Sequence, residues 1–153
     1  MNPRVGVGYD SHRFGADRPL VLGGVDVEFE RGLVGHSDAD VVTHAVIDAL
    51  LGAGGMGDIG ARFPPDDDRW AGADSIELLR TVLDELEGRP GNVDLTVVCE
   101  EPKLGPHRAA IEGRLSEVIG APVSVKATTN ERMGAIGRGE GIAAIAVALV
   151  LTA

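Results

Sequence analysis

Cysteine, aromatic side chains and positive charge are all scarce in this chain of 153 residues. The single cysteine, Cys99, has no partner within the chain, so no intrachain disulfide bond can form and a reducing cytoplasm is the expected location. Aromatic residues make up only 3%, so the hydrophobic core has to be built from Val, Ile, Leu and Ala.

The charge balance is acidic, with 24 Asp and Glu against 14 Lys and Arg and a formal net charge of −10. A nucleic-acid-binding protein needs a basic face, and anionic membranes attract basic segments, so we expect neither partner. An anionic substrate is compatible with this charge only if basic groups or metal ions are concentrated at its binding site.

Signals for export or membrane insertion are also missing. Residues 1–20 contain six charged or titratable side chains, unlike a signal peptide. The longest apolar run, Ile142–Leu151, has ten residues and is too short to span a bilayer. The length suits one domain over residues 1–153.

Strand and helix patterns are mixed along the chain. Apolar runs and alternating patterns predict strands at 5–9, 20–22, 25–29, 93–99, 123–127 and 142–151. Helical spacing predicts three helices, capped at Ser37–Asp38, beginning near Asp74–Ser75, and running from near Pro106 to Gly120. Residues 57–72, rich in Gly, Asp and Pro, are predicted to be a mobile loop.

The last strand has two unlike faces. One face is mostly alanine and predicts that another layer approaches closely. Ten apolar residues in one strand are many for a domain of this size, which suggests burial between subunits.

Asp10 and His12 are the first candidate ligands. In an extended chain they point to one side and Ser11 to the other, which works against a local Ser-His-Asp triad and favours two converging metal ligands. A surface Asp with a nearby His would show the same pattern.

His44 lies early in a predicted apolar helix, with Asp40 and Asp48 four residues to either side on the same face. These carboxylates can orient the imidazole or simply pair with it. With Asp10 and His12, His44 would complete a three-ligand site with an open position, which suits catalysis. Spacing alone equally allows a partly buried histidine whose ring nitrogens form ordinary hydrogen bonds and bind no metal.

Three further clusters are typical of phosphate or ligand binding, although each also reads as an ordinary loop. The glycines of 57–60 allow a ligand to approach the backbone closely. In 126–131 and 137–141, Thr hydroxyls, backbone amides and Arg138 can hold phosphate oxygens, and Glu131 can bind magnesium. In 100–107, Lys103 can meet a phosphate.

Taken in order, these motifs resemble the 2-C-methyl-D-erythritol 2,4-cyclodiphosphate synthases of the non-mevalonate isoprenoid pathway. The matching stretches span nearly the whole chain: 8–12, 22–24, 36–40, His44, 48–52, 57–60, 63–64, 72–75, 91–94, 102–103, 126–129 and 137–143. The resemblance implies an α+β fold, a single catalytic domain over 1–153 whose mixed β-sheet is packed by helices on one face. It also implies a cytoplasmic homotrimer with active sites between subunits.

The implied reaction is the cyclisation of 4-diphosphocytidyl-2-C-methyl-D-erythritol 2-phosphate with release of CMP. By match to the family's motifs, Asp10, His12 and His44 bind one zinc ion per subunit. Glu131 binds magnesium or manganese at the substrate diphosphate, and Thr129 helps to hold that diphosphate. The residues expected around the rest of the substrate are His36, Ser37, Asp58, Ile59, Gly60, Phe63, Pro102, Lys103, Leu104, Gly105, Thr128 and Arg138.

Three positions depart from the family's pattern. Pro65 stands where an Asp is usual, so the hydroxyl contact of that Asp either comes from Asp66 or is lost. Ala135 stands where a Phe is common, and Ile145 where some members carry a Glu. Two other functions share parts of this pattern: a metal-dependent phosphohydrolase without a cytidine pocket, and a non-catalytic oligomer braced by its metal.

Overall fold

The computed structural model describes all residues, 1–153, as a layered arrangement of strands and helices. The strands are β1 (Asn2–Gly15), β2 (Leu20–Leu22), β3 (Val25–Val27), β4 (Gly32–Leu33), β5 (Arg89–Val98), β6 (Val123–Thr128) and β7 (Gly141–Thr152). The helices are α1 (Val41–Gly54), α2 (Ile59–Arg62), α3 (Ser75–Glu85), α4 (Arg108–Ile119) and α5 (Gly134–Gly137), with 3-10 turns at Asp68–Trp70 and Gly105–His107.

The main sheet has five strands in the order β4-β1-β7-β5-β6. β1 is antiparallel to both β4 and β7, β7 is antiparallel to β5, and β5 is parallel to β6. β2 and β3 form a separate antiparallel pair. The predicted α+β class, with a mixed sheet packed by helices, is confirmed.

Helix α1 lies directly on the two central strands because their inner faces carry very small side chains. On β1 this face presents Gly6 and Gly8, and a Cβ added at Gly8 would lie 1.9 Å from the carbonyl oxygen of Ala45 in α1. On β7 it presents three fully buried alanines, Ala144, Ala146 and Ala148. The expectation that another layer approaches the alanine face is confirmed, and that layer is α1.

The N-terminus of α1 is capped by Asp40, so the cap predicted at residues 37–38 is wrong. The Asp40 carboxylate accepts hydrogen bonds from the backbone N–H of Thr43 and, at 2.8 Å each, from those of Gly23 and Gly24. Burial raises the pKa of Asp40, although these hydrogen bonds oppose the rise. The position of the N-cap therefore depends on hydrogen bonds from the β2–β3 turn, which is distant in sequence.

The other two long helices are confirmed. Asp74 caps α3, accepting the N–H of Ile76, and Gly120 ends α4 with a φ of 74°. The buried stripe of α4 is Ile111, Leu115 and Ile119. These helices extend the core that α1 begins.

Several element boundaries differ from the prediction. β1 does not end at Asp10 but continues to Gly15, because β7 pairs with it as far as Arg13 and β4 pairs with Phe14 and Gly15. The pairing with β7 places Asp10 opposite Ala144 and His12 opposite Ile142. β5 begins at Arg89 instead of residue 93, and β3 stops at Val27. The predicted loop 57–72 contains α2 and the turn Asp68–Trp70. No helix combines the length and the apolarity that crossing a bilayer requires.

Candidate metal centre and ligand cavities

Asp10, His12 and His44 converge where the inner face of β1 meets α1. Asp10 Oδ2 lies 2.8 Å from His12 Nε2 and 3.0 Å from His44 Nδ1, and the two ring nitrogens are 3.4 Å apart. Four-coordinate zinc with ligands at about 2.0–2.1 Å separates its ligand atoms by about 3.3 Å. One carboxylate oxygen and two imidazole nitrogens at these distances fit a divalent metal ion.

Contact between Asp10 and the two histidines shifts the pKa values of Asp10 and His12. Burial by itself would raise the pKa of Asp10, but hydrogen bonds and charge attraction from His12 and His44 outweigh it and lower that pKa to about 2. Burial would likewise lower the pKa of His12, yet the hydrogen bond to Asp10 raises it. Asp10 is therefore a carboxylate at neutral pH, as a ligand must be.

A backbone carbonyl orients the ring of His12. Nδ1 of His12 lies 2.9 Å from the carbonyl oxygen of Val34, which follows β4. Because a carbonyl only accepts, Nδ1 donates this hydrogen bond, so the lone pair of a neutral ring is on Nε2, the nitrogen that faces the metal position beside Asp10. The pairing of β4 with β1 thus contributes directly to the site.

The ring of His44 is held differently from the prediction. Asp40 is committed to capping α1, and Asp48 accepts the backbone N–H of Ile59, so neither carboxylate orients the imidazole. Instead, Nε2 of His44 lies 2.8 Å from Ser75 Oγ and 3.1 Å from Ser37 Oγ. The expectation for Asp40 and Asp48 is wrong because both are satisfied by backbone groups nearer to them.

A cavity of about 250 Å³, here the metal-side cavity, opens beside the three ligands. Asp10 and His12 line this cavity. Six further residues that the sequence predicted to contact the metal or the substrate also line it: His36, Ser37, His44, Ile59, Gly60 and Phe63. Pro65, Trp70 and Leu78 complete the lining. Asp58, also predicted to contact the substrate, is not among the lining residues; it caps α2 by accepting the N–H of Ala61 at 2.8 Å.

A second cavity of about 380 Å³, here the loop cavity, lies beyond the ends of β5 and β6. Its lining includes all of the residues predicted from 102–105 and 128–129: Pro102, Lys103, Leu104, Gly105, Thr128 and Thr129. Cys99 forms part of its wall, and burial raises the pKa of this thiol to about 11. Arg108, which the sequence patterns did not single out, also lines it.

A neighbouring polar cavity of about 620 Å³ shares Lys103 and Thr129 with the loop cavity and adds Glu131 and Arg138. Here the backbone N–H of Glu131 donates to Thr129 Oγ1 at 3.2 Å. Glu131 and Arg132 both have left-handed backbone conformations, with φ of 52° and 62°. Positive φ values are costly for non-glycine residues, and such strained positions tend to cluster at functional sites.

The predicted residues therefore fall into two groups. The metal-side cavity shares no lining residue with the loop cavity or the polar cavity. A further cavity of about 670 Å³ has His12 in common with the metal-side cavity and Arg138 in common with the polar cavity. Sequence reasoning missed Ser75, and with it Asp38, whose carboxylate accepts both the N–H and the hydroxyl of Ser75. The sequence offers the Asp74–Ser75 start of α3, which predicts a helix cap, and the stretches 36–40 and 72–75 that match the family, but neither signal pairs Ser75 with His44.

Comparisons with known proteins agree along the full chain. Residues 3–151 match the profile of the YgbB family. A curated protein of Symbiobacterium thermophilum, named 2-C-methyl-D-erythritol 2,4-cyclodiphosphate synthase, is 59% identical over 95% of this chain and 97% of its own length.

Solved structures show the same fold. A 2C-methyl-D-erythritol-2,4-cyclodiphosphate synthase described as a CDP-bound form superposes with a TM-score of 0.86 at 37% identity, covering 95% of this chain and 98% of its own. A bifunctional protein from Campylobacter jejuni gives a TM-score of 0.92 at 38% identity. The match includes 97% of this chain but only 42% of the Campylobacter protein.

Proposed function

The chain belongs to the YgbB family and acts as a 2-C-methyl-D-erythritol 2,4-cyclodiphosphate synthase in isoprenoid biosynthesis, and we propose that Asp10, His12 and His44 hold a zinc ion at its reaction centre. The convergence of these three side chains is the single observation that carries the proposal. We further propose that residues 1–153 act as one catalytic domain, in the cytoplasm, with its free cysteine reduced.

The reaction closes a ring within one substrate molecule. An oxygen of the 2-phosphate forms a bond to the β-phosphorus of the diphosphocytidyl group, and the bond from that phosphorus to the α-phosphate oxygen breaks, releasing CMP. Since attacking and leaving groups belong to the same molecule, the protein mainly has to position them and to neutralise charge. A bound zinc ion would supply positive charge to the phosphate oxygens.

The metal-side cavity suits the methylerythritol phosphate part of the substrate. Ile59 and Phe63 give it apolar walls, Gly60 exposes backbone, and His36 and Ser37 offer side-chain hydrogen-bonding groups. Asp58, which precedes Ile59 in the chain, would accept from a hydroxyl group of the substrate. The usual carboxylate is replaced by Pro65 in this cavity, so the wall there is apolar.

The loop cavity suits the cytidine part, and the polar cavity suits the diphosphate. Pro102, Lys103, Leu104 and Gly105 form a loop bounded by prolines that presents rigid backbone groups to a base, next to Thr128. In the polar cavity Thr129, Lys103 and Arg138 can donate to phosphate oxygens. Glu131 would hold a magnesium or manganese ion there.

We propose that these halves are joined by trimerisation, each complete site taking its metal ligands from one subunit and its cytidine cavity from the next. Two observations support this arrangement. The metal-side and loop cavities are separate within one chain. The outer face of β1 and β7 also exposes a group of large apolar side chains, which a neighbouring subunit would shield from water: Val5, Val7, Tyr9, Ile145 and Val147.

Phosphorus NMR of the zinc- and magnesium-loaded protein with the diphosphocytidyl substrate tests the function. A cyclic diphosphate should appear together with an equal amount of CMP. Release of inorganic phosphate would indicate a phosphohydrolase, and absence of any turnover with both metals bound would contradict the proposal.

A further inference from the structure

We infer that Asp38 and Ser75 form a positioning pair that holds His44 in the tautomer able to bind a metal, an inference that rests on the metal centre proposed above. The two ring nitrogens of His44 have different neighbours. Nδ1 faces Asp10 Oδ2 at 3.0 Å, on the metal side, while Nε2 lies 2.8 Å from the hydroxyl oxygen of Ser75. A neutral imidazole carries one proton, so the partner of Nε2 decides whether Nδ1 has a free lone pair.

The direction of the hydrogen bonds follows from Asp38. An ionised carboxylate only accepts, and that of Asp38 accepts the Ser75 hydroxyl proton with Oδ1 and the Ser75 backbone N–H with Oδ2, the latter at 2.9 Å. The hydroxyl has no second proton to donate. Toward His44 it can therefore only accept, which requires the proton on Nε2 and leaves the lone pair of Nδ1 for the metal.

Ser37 is the natural contrast to Ser75. Its hydroxyl lies 3.1 Å from the same nitrogen, Nε2 of His44, and this is its only side-chain hydrogen bond. With no carboxylate to take its proton, the Ser37 hydroxyl can rotate and either donate or accept. Ser75 is also fully buried, whereas Ser37 is partly exposed to water. Only Ser75 imposes a direction.

The local fold keeps the pair in place. Ser75 is the first residue of α3, whose N-terminus Asp74 caps. The chain before it is tied to the 36–38 segment by two backbone hydrogen bonds, from Gly72 N to His36 O and from Asp38 N to Ala73 O. These contacts bring together groups that lie 37 residues apart in sequence. The pair thus links the metal ligand on α1 to the start of α3.

Zinc affinity, measured by chelator competition on the loaded protein, tests the pair. Ser75→Ala should weaken zinc binding by about 10–100-fold, the usual cost of losing a partner of a metal-bound histidine. Ser75→Thr keeps the hydroxyl and should recover most of that loss, and Ser37→Ala should remain close to the wild type. Should the alanine variant fail to fold, Ser75→Cys, which keeps the shape and weakens the hydrogen bond, should fall between alanine and threonine.

A double-mutant cycle separates positioning from general stability. Asp38→Asn can donate from its amide to the Ser75 oxygen, which would turn the Ser75 proton toward His44, so it should lose zinc affinity much as Ser75→Ala does. The Asp38→Asn/Ser75→Ala double variant should bind zinc no more weakly than the weaker single variant, because both substitutions interrupt the same chain of hydrogen bonds from His44 through Ser75 to Asp38. Additive losses would overturn the inference.

Proton NMR of the zinc-loaded protein supplies a readout independent of affinity and activity. The Nε2 proton of His44 should exchange slowly with water in the wild type and in Ser75→Thr, and faster in Ser75→Ala. If Ser75→Ala matches Ser37→Ala in affinity and exchange, the positioning pair is wrong while the metal centre stands. If the wild type itself binds no zinc, the proposed metal centre is wrong and the pair falls with it.

Discussion

The two faces of β1 come from alternate residues of one segment, yet they have opposite characters. The inner face, made by Gly6, Gly8, Asp10 and His12, lies against α1 and gathers the metal ligands. The outer face exposes Val5, Val7 and Tyr9, with 60–64% of each residue accessible to water.

One subunit assembles the metal ligands alone, whereas its outer face depends on other subunits for cover. On the inner face, hydrogen bonds within one chain already hold Asp10, His12 and His44 close enough together to bind one metal ion. On the outer face, no other layer of the chain covers the apolar side chains, which remain largely exposed. We therefore expect substitutions on the inner face to affect folding and metal binding, and those on the outer face to affect assembly.

The largest expected effect is on folding, from Gly8→Ala. The new Cβ would lie 1.9 Å from Ala45 O and 2.7 Å from Ala49 N, both backbone atoms of α1, so the helix would have to move. The free energy of unfolding should fall by about 3 kcal/mol or more, as measured by denaturant titration. Gly113→Ala, in α4 where nothing lies within 4 Å, is the control and should stabilise by about 0.5–1 kcal/mol. An unchanged stability of Gly8→Ala would contradict the close packing of α1 on β1.

Next comes the loss of catalysis from Asp10→Ala. Removing a ligand should empty the zinc site and lower kcat by about 10²–10³-fold or more, as loss of a group that stabilises transition-state charge does. Zinc content and steady-state rates measure this, with circular dichroism to check the fold. The neighbouring Ser11→Ala, on the outer face of the same strand, should leave zinc content and rate nearly unchanged. Equal losses in both variants would break the proposed division between the faces.

Assembly is the target of Val7→Asp. A charge at the centre of the exposed apolar face should prevent trimerisation, which light scattering would report as a mass near the 15.9 kDa of one chain. Zinc binding should survive, because all three ligands come from one chain, while cyclisation should fall sharply. Thr81→Asp, exposed on α3, should keep the trimer. A wild-type protein that is itself monomeric would remove the assembly proposal.

The smallest effect should come from Asp94→Asn, at the β5–β6 edge of the sheet and away from both faces of β1. Asp94 pairs with Lys126 at 2.6 Å, and this hydrogen bond lowers the pKa of Asp94, but both side chains are exposed. The pair should contribute less than about 1 kcal/mol. Because the folded-state pKa is lowered, that contribution is present above pH 3.8 and is lost as the pH falls through the folded value. A loss in Asp94→Asn comparable to that of Gly8→Ala would undo the ranking.

Much of the framework could be predicted from local patterns. Alternation placed Asp10 and His12 on the same side of β1 and Ser11 on the other, and helical spacing placed α1, α3 and α4 nearly correctly. These predictions succeeded because the pleat of a strand and the turn of a helix depend only on neighbouring residues.

The errors share a cause of the opposite kind. Asp40 caps α1 because the Gly23–Gly24 turn donates to it, and β1 continues past Asp10 because β7 pairs with it. Ser75 reaches His44 from 31 residues away. No local pattern encodes such partners.

The kinds of ligand available, the elements that carry them and the family whose motifs they match therefore follow from the sequence alone. The convergence of Asp10, His12 and His44 follows from the fold, as does the contact of Ser75 and Asp38, instead of Asp40 or Asp48, with the far side of the His44 ring. The physical reason is that a hydrogen bond or a metal site is satisfied by whatever groups packing brings within about 3 Å, and distance along the chain sets no limit on which groups these are.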